Sequence, residues 1–237
     1  MEKIICMSIS LSDVSRYEEI EKVESAENIQ KTFDTLLSPE VMNGSKISNV
    51  LFPIDNVDIF ISYSHNDEGI AKRLASYLTQ DKGLKVFLDY QVWKSSDSFL
   101  RKLNGHKCLT NKGELSYDKV LLTSSYVHSI LSGALFEQIR KSTIMIIVNT
   151  KNSIPKFNDD YFRTLSPWIY QEATFANGLV EHNRSIRESA RFFADSNKIN
   201  MTFDLPINNA EHMTFDSFKR ALSCKRGIDA IKVMKEL

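Results

Sequence analysis

Apolar residues along this chain fall into continuous runs separated by helical stripes. Val57 to Tyr63 is almost unbroken in its hydrophobicity, as expected of a central parallel strand buried on both faces. Ser64-His65-Asn66-Asp67 then supplies capping residues. The helix behind it carries Ile70, Leu74, Tyr77 and Leu78 on one face and has a stop at Gly83. Leu84 to Asp89 predicts the second strand. Strand, helix and strand in so short a span form a βαβ unit with a right-handed crossover in a parallel sheet. Val127, Ile130, Leu131, Ala134, Leu135 and Ile139 form a second helical stripe behind a Ser124 or Ser125 cap. Ile144 to Val148 predicts the third strand. Ile199 to Leu205, with Met201, Phe203 and Leu205 alternating, predicts a fourth. Residues 183–196 read as a charged helix, and Phe215 to Leu222 and Gly227 to Leu237 as two terminal helices.

The first 50 residues read differently. Ile4 to Leu11 is apolar but short and interrupted by serines, and it lacks a small-residue cleavage site, which argues against a signal peptide. Residues 12–38 are rich in Glu, with Val14, Tyr17, Ile20, Val23, Ile29, Phe33 and Leu36 recurring mostly every three or four positions. This predicts one helix or two packed on the following domain, in preference to a partner-binding arm. Residues 39–53 read as a linker. The expected organisation is therefore a helical N-terminal extension and linker over 1–50, then an α/β domain over 51–237. Within that domain, Tyr90 to Ser98 reads as a loop and Phe99 to Leu103 as a short helix. Residues 104–123, with Asn-Gly and Lys-Gly pairs, read as an inserted loop.

Composition narrows the function classes. Lys plus Arg equals Asp plus Glu at 30 each, so the basic surplus that nucleic-acid binding requires is missing. The same balance leaves self-association unopposed by net charge. No stretch approaches the length of a membrane span. Cys6, Cys108 and Cys224 are far apart and form no CxxC pair, which reads as reduced thiols in a cytoplasmic protein. His65, His106, His128, His182 and His212 are equally scattered, so no metal site is expected. The dinucleotide fingerprint, the P-loop and the GxSxG elbow are all missing from the sequence.

What chemistry remains gathers at the carboxyl ends of the predicted strands, where ligands bind in open parallel sheets. Tyr63 to Asp67, Asp89 to Ser98 and Asn149 to Glu172 all end there. Ser166-Pro167 starts a helix, with Ser as N-cap and Pro at the first position. On that helix Trp168 and Glu172 are four residues apart and share a face. An exposed aromatic wall beside a carboxylate near a helix N-terminus suits a flat, cationic, nucleotide-like ligand. Each residue also has a plain reading. Trp168 packs in a core, Asp89 caps a turn, His65 caps a helix, Trp93 anchors its loop, and Glu172 is a solvated residue favoured by the helix dipole.

Taken in order, several segments resemble the Toll/interleukin-1 receptor (TIR) domain family. Asp58-Ile59-Phe60-Ile61-Ser62-Tyr63-Ser64-His65-Asn66-Asp67 resembles the family's first strand and loop. Lys85-Val86-Phe87-Leu88-Asp89 with Trp93 resembles the second, and Ile139 to Asn152 the approach to strand three. Ser166-Pro167-Trp168-Ile169-Tyr170-Gln171-Glu172 resembles the segment that carries the catalytic glutamate in the NAD-cleaving members. The loop after strand two departs from the pattern, having Lys94-Ser95-Ser96-Asp97 where a glycine is usual, as does the 104–123 insertion.

The resemblance implies a flavodoxin-like TIR fold, a central parallel sheet with helices on both faces. It also implies an NAD glycohydrolase or cyclase of the bacterial type, cytoplasmic and acting in anti-phage signalling. Such an enzyme cleaves the nicotinamide–ribose bond of NAD to give nicotinamide and a linear or cyclic ADP-ribose product. NAD is the substrate and no cofactor is implied. Glu172 takes the catalytic role, with Tyr63, Ser64, His65, Asp89, Trp93, Lys94 and Trp168 around the substrate. Self-association through TIR–TIR contacts is expected, with no nucleic-acid or membrane partner. The alternative the resemblance leaves open is a non-catalytic TIR module that signals by self-assembly.

Overall fold

The computed structural model describes residues 1–20, 35–37, 42–51, 56–88, 90–157, 161–184 and 202–237. The chain divides into two compact units. One comprises Met1–Ile20, Asn56–Leu88 and Ile139–Leu237; the other comprises Glu21–Asp55 and Asp89–Gln138.

The first unit is built on a five-stranded, all-parallel sheet. Its strands are β1 (Lys3–Ser8), β2 (Ile59–Ser62), β3 (Val86–Leu88), β4 (Ile144–Asn149) and β7 (Glu211–Thr214), in the spatial order β3-β2-β4-β1-β7. Two further strands, β5 (Arg163–Thr164) and β6 (Phe203–Asp204), pair antiparallel outside this sheet. Helices α1 (Leu11–Val14), α3 (Glu68–Ser76), α6 (Pro167–Arg184), α7 (Phe215–Ala221) and α8 (Gly227–Glu236) surround it. The α1 helix packs on α3, α6 on β1, and α8 on β4. The second unit holds α2 (Gly44–Leu51), α4 (Tyr90–Lys107) and most of α5 (Tyr117–Lys141).

The core is the sheet itself. Ile5, Met7, Ile59, Phe60, Ile61 and every residue from Ile144 to Val148 are fully buried. Buried aliphatic side chains of this kind each contribute about 1.5–3 kcal/mol of transfer free energy. A second cluster closes the C-terminal end of α3. Tyr77 lies 5.2 Å from Tyr17 and 5.4 Å from Phe215, ring centre to ring centre. The buried Lys82 ammonium donates to the carbonyls of Leu222 (2.7 Å) and Ser223 (3.0 Å), tying this end to the C-terminal helices. Gly83, the predicted stop, has φ +68°, a conformation that glycine alone adopts without strain.

The expected α/β parallel sheet is present, and the predicted strands at 57–63, 84–89 and 144–148 and both terminal helices are found. The N-terminal reading is corrected. Lys3–Ser8 is no part of a helical extension but an interior strand, hydrogen-bonded to β4 on one side and β7 on the other. The short apolar run that argued against a signal peptide is what a strand buried on both faces requires. Of the one or two helices expected over 12–38, α1 ends at Val14 and residues 35–37 are helical; residues 21–34 and 38–41 lie outside the described residues. The 39–53 linker contains the helix α2.

Other boundaries shift as well. The predicted loop at 90–98 is the first half of α4, since no Gly or Pro interrupts 90–104 and Ser and Asp only weakly oppose a helix. The 104–123 insertion shrinks to a tight hairpin, because α4 runs to Lys107 and α5 begins at Tyr117. In the predicted fourth strand only Phe203–Asp204 is extended within the described residues, and it lies outside the main sheet. The fifth strand of the main sheet is instead β7. The predicted helix at 183–196 lies outside the described residues beyond Arg184.

Because β1 holds β7 to the rest of the sheet, a chain starting at Leu51 is expected to lose its cooperative fold. Ile5→Ala in the full chain is expected to cost about 2–5 kcal/mol, as buried truncations do. Circular dichroism with urea titration reads both; a Leu51 truncation that unfolds cooperatively at the full chain's midpoint contradicts this assignment. The thiols give a second check. Cys224 is exposed, whereas Cys6 and Cys108 are buried and burial pushes the Cys6 thiol up to about 12. A maleimide at pH 8 is therefore expected to label Cys224 alone in native protein and all three thiols in urea.

Candidate functional site

The carboxyl ends of β2 and β4 lie side by side, with Ser62 opposite Ile147. The chain leaves β2 for β3 on one side and leaves β4 for β7 on the other. Diverging connections of this kind open the crevice in which parallel sheets bind ligands. Two polar arrangements occupy it.

The first joins β2 to α6. Ser62, fully buried at the end of β2, donates from Oγ to Glu172 Oε2 at 2.5 Å. Glu172 is 0% exposed. Its helix starts as the sequence predicts, with the Ile169 amide donating to Ser166 Oγ at 3.3 Å and Pro167 as the first helical residue. Ile169, Ala173, Ala176 and Val180 are the buried stripe of that helix. Glu172 stands next to Ala173 on this inward side, which is why its carboxylate faces the sheet and not solvent. Trp168, one turn earlier, is half-buried.

The second arrangement locks the loop after β2 to the loop after β4. Asp67 is buried at 3% exposure. Its Oδ2 accepts from Thr150 Oγ1 at 2.5 Å and its Oδ1 from Asn152 Nδ2 at 2.7 Å. The loop after β4 is itself folded tightly, as the Thr150 amide donates to Ser153 Oγ at 3.0 Å and Ser153 Oγ donates to the Val148 carbonyl. Sequence reading assigned Asp67 a capping role only and placed Thr150 and Asn152 in the segment from Asn149 to Glu172 with no role of their own. The signal available was Asn149-Thr150-Lys151-Asn152-Ser153, a run of turn-forming side chains directly behind an apolar strand.

The remaining candidates separate. Tyr63 is buried and Ser64 half-buried, both directly behind Ser62, while His65 is exposed. The structure thus brings the end of β2 and Glu172 together. Trp93 and Lys94 belong to α4 in the other unit, helical where a loop was expected, and their side chains lie outside the described residues, as does Asp89. A cavity of about 440 Å3 opens at the same sheet edge, lined by Ser8, Asn149 and Thr214 among others. It lies at the ends of β4, β1 and β7, whereas Glu172 is held at the end of β2. Among the described residues no group of His, Cys, Asp or Glu could hold a metal ion, and no helix is long and apolar enough to cross a membrane.

Against known proteins, the TIR domain family model matches residues 59–109, from the start of β2 through β3 and α4 into the hairpin behind it. The match supports a TIR domain, and the five-stranded parallel sheet with its helices is consistent with the flavodoxin-like fold of that family. Ser62 and Asp67 fall inside the matched stretch; Thr150, Asn152 and Glu172 fall outside it. No curated protein and no solved structure matches the chain.

Removing one partner from either arrangement leaves a buried polar group short of a hydrogen bond. Ser62→Ala and Asp67→Ala are each expected to cost about 1–3 kcal/mol of unfolding free energy. Ser62→Thr keeps the hydroxyl and is expected to cost less than Ser62→Ala. Urea titrations compare the three, and a Ser62→Ala protein as stable as the wild type contradicts a structural role for the Ser62–Glu172 bond.

Proposed function

We propose that this chain cleaves the nicotinamide–ribose bond of NAD, with Glu172 as the group that makes the cleavage fast, in an anti-phage signalling role. The single observation that carries the reading is the Glu172 carboxylate held by Ser62 at the carboxyl end of β2, in a chain whose matched stretch supports a TIR domain.

The chemistry follows from the bond that breaks. As the C1′–N bond lengthens, its electron pair leaves with the nicotinamide ring, which departs neutral. Positive charge accumulates on the ribose as an oxocarbenium-like species. A fixed carboxylate beside that carbon stabilises it without reorganising, which is the most effective form of electrostatic catalysis. Water completes the hydrolysis to ADP-ribose with release of a proton; an adenine nitrogen attacking the same carbon gives a cyclic product instead. Ser62 acts as a positioning residue that fixes Glu172 Oε2. The Asp67–Thr150–Asn152 lock keeps the two loops that border the crevice at constant spacing. Trp168 supplies a flat apolar surface one turn from the carboxylate, suited to a nicotinamide or adenine ring.

The complete burial of Glu172 favours a second reading. Here the chain is a TIR interaction module that signals by self-assembly, and the Ser62–Glu172 bond holds α6 to the sheet without chemistry.

Nicotinamide release from NAD separates the two. In the first reading the wild type turns over, and Glu172→Gln lowers the rate by about 10²–10³ through loss of the stabilising charge. Nucleotide binding then falls much less than turnover. A wild type that releases no nicotinamide at any concentration, or a Glu172→Gln protein as fast as the wild type, overturns it.

A further inference from the structure

The cavity of about 440 Å3 at the ends of β4, β1 and β7 has no part in the cleavage chemistry described above. Strand register relates it to Glu172. Ser62, Ile147 and Cys6 stand in one row across the sheet, and Asn149, Ser8 and Thr214 form the next row toward the carboxyl edge. Side chains alternate along a strand, so rows two residues apart point to the same face. The Cys6 thiol and the Asn149 side chain are accordingly hydrogen-bonded. The cavity thus opens on the face against which Ser62 holds Glu172. From Ser62 to Ser8 is two strand spacings across and two residues along, about 10 Å and about 7 Å.

The lining mixes donors with acceptors. Ser8, Ser10 and Thr214 bring hydroxyls, Asn149 an amide, and Asp13 and Asp216 carboxylates. The buried Ile9 and Phe215 supply apolar surface. Each carboxylate is held by one oxygen. Asp13 Oδ2 accepts from the Ser10 amide and hydroxyl, both at 2.8 Å, and Asp216 Oδ1 lies 2.9 Å from Lys219 Nζ. Among the described residues the second oxygen of each has no partner. Lys219 does not line the cavity, nor does any other lysine, arginine or histidine among the described residues. A phosphate would therefore meet two carboxylates and no cation. A simple cation could use the carboxylates but not the donors of Asn149 and the hydroxyls. A vicinal diol uses both, since each of its hydroxyls can donate to a carboxylate and accept from an amide or hydroxyl. Acidic side chains hold the ribose in other parallel-sheet dinucleotide sites for the same reason.

We propose that this cavity is a ribonucleoside subsite, which takes the adenosine end of NAD while the nicotinamide end lies beside Glu172. The choice of substrate rests on the NAD reading above; the recognition chemistry of the cavity does not depend on cleavage. The ribose sets its 2′,3′-diol against Asp13 and Asp216, and the base lies on the apolar surface of Ile9 and Phe215. A dinucleotide carries two ribosides joined through a diphosphate, a linker long enough to cover the separation between Ser62 and Ser8. One substrate then occupies both features of this sheet edge, and the carboxylates of the cavity meet its sugar and not its phosphates.

Adenosine itself, which has neither phosphate nor nicotinamide, is the probe. It is titrated into the full chain at millimolar concentrations and followed by amide NMR. Saturable shifts are expected at Ser8 to Asp13, Asn149 and Thr214 to Asp216. 2′-Deoxyadenosine is expected to bind about tenfold more weakly, as loss of a hydrogen bond to a charged group implies. Asp216→Asn and Ser8→Leu alter exposed positions, the first removing a charge and the second filling the cavity. Each is expected to weaken adenosine about tenfold, with circular dichroism checking the fold. In an NAD assay the same variants are expected to raise KM and leave kcat unchanged, because the subsite binds ground and transition states alike. No saturable adenosine binding, shifts confined to other residues, or equal affinity for the deoxy form overturns the inference. So does NAD cleavage whose KM both variants leave unchanged. Adenosine bound in the cavity of a chain that cleaves no NAD upholds the subsite and overturns the cleavage reading alone.

Discussion

The N-terminal strand holds the sheet together. β1 is the second strand from one edge, hydrogen-bonded in parallel to β4 and to β7. Parallel strands cannot be joined by tight turns, so each neighbour arrives over a long crossover. The first residues of the chain must therefore be in place before β7 has anything to pair with. Ile4, Ile5, Cys6 and Met7, all buried, supply the hydrophobic surface for this. The position of β4, and with it the loop that clasps Asp67, is fixed from both sides, by β2 and by β1.

The same frame explains why the polar groups of the site can be buried. Ser62 and Glu172 lie 110 positions apart in sequence and meet only because α6 returns over the sheet. A carboxylate without solvent is costly unless it is well bonded. The hydroxyl of Ser62 meets part of that cost. Asp67 is bonded as well, each oxygen receiving a side-chain donor from the loop after β4. These two long-range contacts tie the end of β2 to α6 and the loop after β2 to the loop after β4.

How much of this was legible in the sequence depended on the kind of signal. Ile59 to Ile61 and Ile144 to Val148 announce themselves because strands buried on both faces are apolar. The Ser166-Pro167 start and the shared face of Trp168 and Glu172 follow from helix geometry alone; the complete burial of Glu172 does not. β1 carried the same apolar signature, but its place at the terminus invited a question about targeting and left the sheet unconsidered. β7 was illegible for the opposite reason. Glu211-His212-Met213-Thr214 is an edge strand with partly exposed side chains, so hydrophobicity does not mark it. The clasp of Asp67 by Thr150 and Asn152 spans more than 80 residues, and no local pattern encodes a contact of that range. Leu115, Leu121 and Leu122 fall in the stretch the sequence marked as an inserted loop, and all three are exposed.

The proposed site for NAD is the end of the sheet between β2 and β4, beside Glu172. The most direct measurement is an amide NMR titration of the full chain with NAD. The largest shifts are predicted at Ser62 to Asp67, Thr150 to Ser153 and Trp168 to Glu172, the three segments that border the crevice. Shifts confined to Ser8 to Asp13 and Thr214 to Asp216, around the neighbouring cavity, would contradict the claim, as would no shifts at all.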